Sequence, residues 1–277
     1  MVRTSLVVLL ACVACGAASR LHAQAALPDI RQLMLDVHAH QHQLDTLREN
    51  YTFTSDETQE DLDGNSHIVK TETREKEDFF VNGHLIERTV KKNGNPLAGH
   101  DLDKETERVT KLVEKAEKTP RDQPLEGQTV SVTRLLEIMD VRNERRVDYH
   151  GRPTIVFDFV GRKSAKTHGI IEDASKKLQG TIWIDEAGKQ VAHLDVSFVD
   201  NFHVAGGFFA NIQKGSNFRF EQALVNGELW LPTAAEATMQ ARVLLVKNMR
   251  QHFVEHDSDY KRFRVETQSK DAKTAAK

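Results

Sequence analysis

The residues best suited to chemistry lie in the run Asp36-Val-His-Ala-His-Gln-His42. Two imidazoles one residue apart at the end of a strand can hold a divalent cation, which acidifies a bound water for hydrolysis. That use needs further ligands on later strands of an α/β barrel. The chain has no alternating strand–helix succession to supply them. The surrounding residues also read as a helix, because Ile30, Leu33, Val37, Leu44 and Leu47 recur near helical spacing behind Pro28. On a helix His38 and His42 share a face at i, i+4, and His40 points elsewhere. The expectation is a solvated polar helix face. A metal site, and beyond it a metal-dependent hydrolase using His38 and His40, are the sharper alternatives.

A second group of histidines and acids, His252, Glu255, His256, Asp257 and Asp259, lies near the C-terminus. In a strand His252 and His256 share a face but stand about 13 Å apart. They cannot then share one metal without a bend. The basic run with Arg162, Lys163 and Lys166 could meet a phosphate or an anionic lipid head, yet no glycine-rich cradle accompanies it, so a solvated loop is expected. The sequence holds no Gly-x-Ser-x-Gly elbow, phosphate-binding P-loop, dinucleotide fingerprint or zinc-protease motif. No catalytic residue, cofactor or metal is assigned, and a binding role is expected rather than an enzymatic one.

The elements that position these residues are mostly strands. Leu178–Asp185 and Gln190–Phe198 alternate apolar and polar residues and form a hairpin around Ala187-Gly188, with Gly188 expected to take positive φ. Ala192, Leu194, Val196 and Phe198 are expected on one face. Phe218 to Leu224 alternates again, and Asn226-Gly227 is a two-residue hairpin signal. Ala235 to Leu245 continues with small and apolar residues on one face. Asn82-Gly83 marks another hairpin. The stretch from about Thr54 to Lys76 reads as a long solvent-facing hairpin whose charges discourage edge pairing. Helices are expected over 28–49, 101–118 and 129–140, the second capped by Asp101 or Asp103. Asn50-Tyr51-Thr52 is formally a glycosylation sequon.

Residues 1–25 read as a secretory signal: Arg3, an apolar run from Leu6 to Ala18, and Ala23-Gln24-Ala25 as the cleavage signature. The apolar run is shorter than the ~20 residues of a membrane-spanning helix. Leu9-Leu-Ala-Cys12 offers a lipoprotein signal as the alternative. Cleavage near Ala25 removes both cysteines, Cys12 and Cys15, and makes the remaining chain more acidic than the formal −3 of the full sequence. A periplasmic or secreted location follows as the expectation. The chain lacks the basic excess and aromatic–basic patches of a nucleic-acid binder.

With these elements in place, the layout resembles the LolA/LolB-like superfamily of envelope lipoprotein carriers, and a group of uncharacterised secreted bacterial proteins. The resemblance rests on the N-terminal helix running into Glu49-Asn-Tyr-Thr-Phe53. It rests also on the hairpin of Gly180-Thr-Ile-Trp-Ile-Asp185 with Gln190-Val-Ala-His-Leu194, and on Asn93-Gly-Asn-Pro-Leu97 before the charged helix. It spans residues 28–266. It implies an α+β fold with a large curved antiparallel sheet, an open half-barrel, and helices packed on its concave face. The expected organisation is a signal at 1–25, one domain over 26–268 and a disordered tail at 269–277. The implied function is to hold a lipid or a lipoprotein acyl chain in an apolar cavity, with peripheral membrane contact as a further possibility. Aromatic density nominates Trp183, Phe198, Phe202, Phe208, Phe209 and Trp230 as cavity walls. The alternative is a structural or interaction protein of the same fold whose cavity is filled and which meets an envelope partner.

Overall fold

The computed structural model describes residues 26–125, 132–204, 210–244 and 247–263. Helix α1 (Ile30–Arg48) is followed by strands β1 (Tyr51–Leu62), β2 (Ile68–Val81), β3 (His84–Lys92) and the short β4 (Asn95–Pro96). Helices α2 (Gly99–Lys118) and α3 (Val132–Ile138) lead into β5 (Met139–Tyr149) and β6 (Arg152–Gly161). After α4 (Ile170–Ser175) come β7 (Leu178–Asp185), β8 (Gln190–Phe198), β9 (Phe202–Val204) and β10 (Ala210–Ile212). Strands β11 (Asn217–Val225), β12 (Leu229–Val243) and β13 (Lys247–Arg262) complete the described chain.

The strands form one antiparallel sheet in the order β4-β3-β2-β1-β13-β12-β11-β8-β7-β6-β5. Its end strands β4 and β5 do not pair with each other, so the sheet is open, as the resemblance implies. The hairpin β9–β10 joins through β10 to the far end of β12. Asn82-Gly83 and Asn226-Gly227 both take positive φ at each residue, the turn those dipeptides favour. At the β7–β8 turn the positive φ falls on Lys189 rather than Gly188. Gly188 is needed for space instead: its N–H donates to Asp185 Oδ2 (2.5 Å), and a Cβ there would meet that carboxylate and the Trp230 ring nitrogen.

Helix α1 begins at Asp29, whose carboxylate accepts the Gln32 N–H at 2.8 Å as an N-cap. The helix lies across one face of the sheet, here called the inner face. Its first half buries Ile30, Leu33 and Val37 against Ile155 and Phe157 of β6 and Ile182 and Ile184 of β7. Its second half sets Leu44 and Leu47 against Tyr51, Leu229 and Leu231. A bulge in β8 pairs Ile184 with Val191 but Trp183 with His193. It brings Val191 alongside Leu194 against α1, a shift that regular alternation does not anticipate.

Helix α2 covers the exposed edge of β3. Glu105 accepts the Thr89 N–H (2.7 Å) and Arg108 donates to the Glu87 carbonyl (2.6 Å), so backbone groups without a strand partner are satisfied. Its N-cap is Ala98, with no side-chain cap bond, and Asp101 lies in the first turn. The third expected helix is shorter than its apolar spacing suggests, because Met139 and Asp140 already belong to β5. Helix α4 was not foreseen.

Gly180 sits on β7 directly opposite Phe159. A methyl group there would run into the Asp195 carbonyl and the Phe159 ring. Gly180→Ala is therefore expected to destabilise the protein by about 1–3 kcal/mol through overpacking. Equilibrium urea unfolding of the two proteins measures the difference, and an unchanged midpoint would refute the close approach.

Candidate functional site

The inner face divides into an apolar strip and a charged network. The strip is set by register. Leu194 packs with α1, and Phe220 is its neighbour on β11. Phe218 stands beside Val196, Ala235 beside Phe220, Ala237 beside Phe218 and Phe253 beside Ala237. Cross-strand neighbours share a face, so Val196, Phe198, Phe218, Phe220, Ala235, Ala237, Met239 and Phe253 line the inner face across β8, β11, β12 and β13. Phe218 and Phe220 stack at 6.2 Å. Phe218 and Met239 are each 40 % exposed, so α1 leaves this strip open.

Beside the strip, on β1, β2, β3 and β13, lies the charged network. Tyr51, Phe53, Ser55 and Glu57 are buried residues of β1 that share the inner face. Ser55 is paired with Lys76 and Asp257, Phe53 with Asp78, and Glu57 with Glu255. Lys76 Nζ is nearly inaccessible and lies 2.5 Å from Glu57, 3.1 Å from Glu87 and 3.0 Å from Glu255. Burial alone would lower the Lys76 pKa, but Glu57, Glu87 and Glu255 outweigh it and hold the ammonium charged. The Ser55 hydroxyl bonds Asp78 and reaches Asp257 at 2.5 Å. Burial pushes Asp78 up to about 7, aided by Glu87 and Asp257 and opposed by Ser55 and Lys76. Burial likewise raises Asp257 and Glu255. A hydroxyl between two carboxylates has one proton to give. A protonated Asp78 donating to Ser55, with Ser55 donating to Asp257, satisfies all three groups. The inner side of the β1–β2 hairpin is thus buried at this end, and the expectation of a solvent-facing hairpin holds only for its far end.

The six aromatic residues singled out from the sequence do not share one place. Phe198 belongs to the strip, and Phe202, buried, stacks on it at 6.2 Å. Trp183 points to the opposite face of the sheet, where its ring meets His193 edge-on at 4.4 Å and Tyr149 lies at 6.4 Å. Trp230 is buried and points away from the Leu229–Leu231–Tyr51 cluster, with the Arg152 guanidinium 5.7 Å from its ring centre. Phe208 and Phe209 lie outside the described residues. Phe218, Phe220 and Phe253 were missed as lining residues. The alternation of β11 carries the first two, but only the register of β8, β11, β12 and β13 shows that they meet.

Of the remaining candidates, His252 and His40 have side-chain partners. His252 sits between Glu60 and Glu236, each 3.1 Å from a ring nitrogen, and these carboxylates raise its pKa. His40 Nδ1 lies 3.4 Å from Gln43 Oε1, and the His42 side chain lies outside the described residues. Among the described residues no group of three or more His, Cys, Asp or Glu side chains is arranged to hold a metal ion. On the outer face His193 stands 2.7 Å from Glu221 and 3.1 Å from Asp195, and Tyr149 donates to Glu221. Beside them opens a polar groove of about 470 Å3 with Thr181, Asp195, Arg219 and Glu236 among its walls.

No protein-family model matches the chain, and no curated protein matches it. Solved structures do. One is a domain from Vibrio parahaemolyticus described as that of a "putative outer membrane lipoprotein-sorting protein". It is 11 % identical, covers 84 % of this chain and 93 % of its own, and has a TM-score of 0.37. Another is MucB in complex with MucA(peri), 10 % identical, covering 83 % of this chain and 99 % of its own, with a TM-score of 0.24. No helix among the described residues is long and apolar enough to cross a membrane.

Proposed function

We propose that this chain is a non-enzymatic binding protein of the bacterial envelope that holds a lipid or protein-linked acyl chain on the apolar strip of its inner face. The observation that carries the reading is the half-exposed row of apolar side chains across β8, β11, β12 and β13, with Phe218 and Met239 each 40 % exposed. Contiguous exposed apolar surface of this kind marks a binding site more often than chance. Four adjacent strands give the strip a width of about 14 Å, enough for an alkyl chain laid across them. Each methylene buried there contributes about 0.8 kcal/mol. Phe198, with Phe202 behind it, forms one end of the strip; Phe253, next to the charged network, forms the other.

The test is native mass spectrometry of the protein starting at Ala26, purified from a bacterial periplasm, followed by extraction of what co-purifies and titration with a fluorescent palmitoyl probe. A lipid adduct and saturable probe binding that Phe218→Asp weakens at least tenfold are expected. Phe218 is exposed enough to change without opening the core. An apo mass that persists after incubation with lipids and acylated peptides would overturn the reading and favour a protein-interaction role.

A further inference from the structure

The three most exposed large apolar side chains of the described chain are Val69 at 64 %, and Ile68 and Leu244 at 55 % each. The sheet register puts them together. Asp61 near the end of β1 pairs with Lys70 of β2 and with Gln251 of β13, and Val243 at the end of β12 pairs with Lys247. The β1–β2 and β12–β13 turns are therefore neighbours on one rim of the sheet. The same rim continues through Asn217 opposite Thr238 and Ser197, and Leu178 opposite Phe198, to α4. There Ile170 and Ile171 are 42 % and 40 % exposed. A groove of about 450 Å3 opens beside them, lined by Ile170, Lys176, Lys177, Phe202 and His203 among others.

The charges on this rim are unbalanced in a way that residue counts hide. Its acids are used internally. Asp63 accepts the backbone N–H groups of Asn65 and His67, Glu60 pairs with His252, Glu172 with Arg134, and Asp200 with Lys177. Several of its cations, apart from Arg134 and Lys177 just named, are not. Among the described residues, Lys163, Lys166, Lys176, Lys214 and Lys247 have no carboxylate within ion-pair distance, although Lys163 acts on Asp200 from farther away. Arg242 and Arg250 hydrogen-bond neutral oxygens, of Asn248 and Gly64, and Arg250 also acts on the Asp63 carboxylate from farther away.

We propose that this rim docks the protein on an anionic phospholipid surface, with Ile68, Val69, Leu244, Ile170 and Ile171 entering the interface and the unpaired lysines meeting lipid phosphates. Apolar side chains at turns between charged strands destabilise nothing in the fold if they leave water on docking, and each cation near an anionic surface adds to the attraction. The rim includes the basic loop after β6 that alone gave no phosphate cradle. The proposal does not depend on acyl binding by the inner strip, because none of the side chains it places at the lipid surface belongs to that strip.

Flotation of the protein from Ala26 onward, which contains every described element, tests it with vesicles of phosphatidylcholine alone and of phosphatidylcholine with phosphatidylglycerol. Binding to the phosphatidylglycerol vesicles is expected, falling with salt. Replacing Lys163, Lys166 and Lys247 together by glutamine should weaken it on the order of 100-fold. Val69→Glu with Leu244→Glu should abolish it, while palmitoyl-probe binding stays unchanged in both variants. Equal binding to both vesicle types, or phosphatidylglycerol binding that survives both sets of changes, overturns the proposal. So does the absence of vesicle binding. Loss of probe binding in the native protein with flotation intact would sink the inner-strip reading alone.

Discussion

Replacing Lys76 by methionine should lower the stability of the protein by about 3–5 kcal/mol, the range found when one partner of a buried ion pair is removed. The loss does not come from the contacts of Lys76 alone. It comes from the carboxylates left behind: Glu57 is nearly inaccessible and Glu255 half-buried, and both face Lys76 within 3.0 Å. The network is not optimal for stability, because taking charges out of water opposes folding. Removing it whole should therefore be milder than breaking it. Lys76→Met combined with Glu57→Gln and Glu255→Gln is expected to recover at least half of the loss in urea unfolding at pH 7. A single variant within about 1 kcal/mol of the native protein would mean that water reaches the network and screens it.

Asp78 gives the second large effect. Its folded pKa of about 7 lies above the ordinary 3.8. The folded state then binds more protons than the unfolded state between these values. The stabilisation is complete below about pH 4 and is lost as pH rises through 7. The span corresponds to roughly 4 kcal/mol at 1.36 kcal/mol for each pH unit. Asp257 and Glu255, also raised, and His252 act in the same direction, so the native protein is expected to lose stability between pH 5 and 8. Asp78→Asn keeps a donor for Ser55 and cannot ionise. It should be more stable than the native protein at pH 8, with a flatter slope, and nearly equal to it only below about pH 4. Thermal unfolding at closely spaced pH values measures both, and parallel slopes would show that Asp78 is ionised in the folded protein.

The strands could be read from the sequence where one face is apolar. Ala235 to Val243 and Gln190 to Phe198 have a phase because a slip of one residue would bury their polar faces. The asparagine–glycine turns were legible for a local reason, since few other dipeptides accept two positive φ values. Ser55, Glu57, Lys76 and Asp78 were not legible. Polar residues alternate with polar residues there, so the pattern carries no phase, and burial is set by partners contributed from β13, about 180 residues later, as in the Lys76–Glu255 contact. The same limit applies to the apolar strip. Aromatic density pointed to Trp183 and Trp230, but whether a ring lies on the inner face is decided by pairing between distant strands and by bulges, and composition does not report either.

The pairing of β1 with β13 sets a condition on how the molecule assembles. Both strands lie in the middle of the sheet, yet they come from opposite ends of the described chain; the Glu60–His252 contact joins residues 192 apart. Strands β1 to β3 can form local hairpins early, and so can β5 to β8, but the two groups have no common neighbour until β12 and β13 exist. Closing so long a loop slows folding relative to local pairing. Nascent chains that stop before Lys247 therefore carry two half-sheets with bare edges. The two halves are expected to join only once β13 is delivered, so a truncation before it should expose sheet edges prone to aggregation rather than leave a smaller complete sheet.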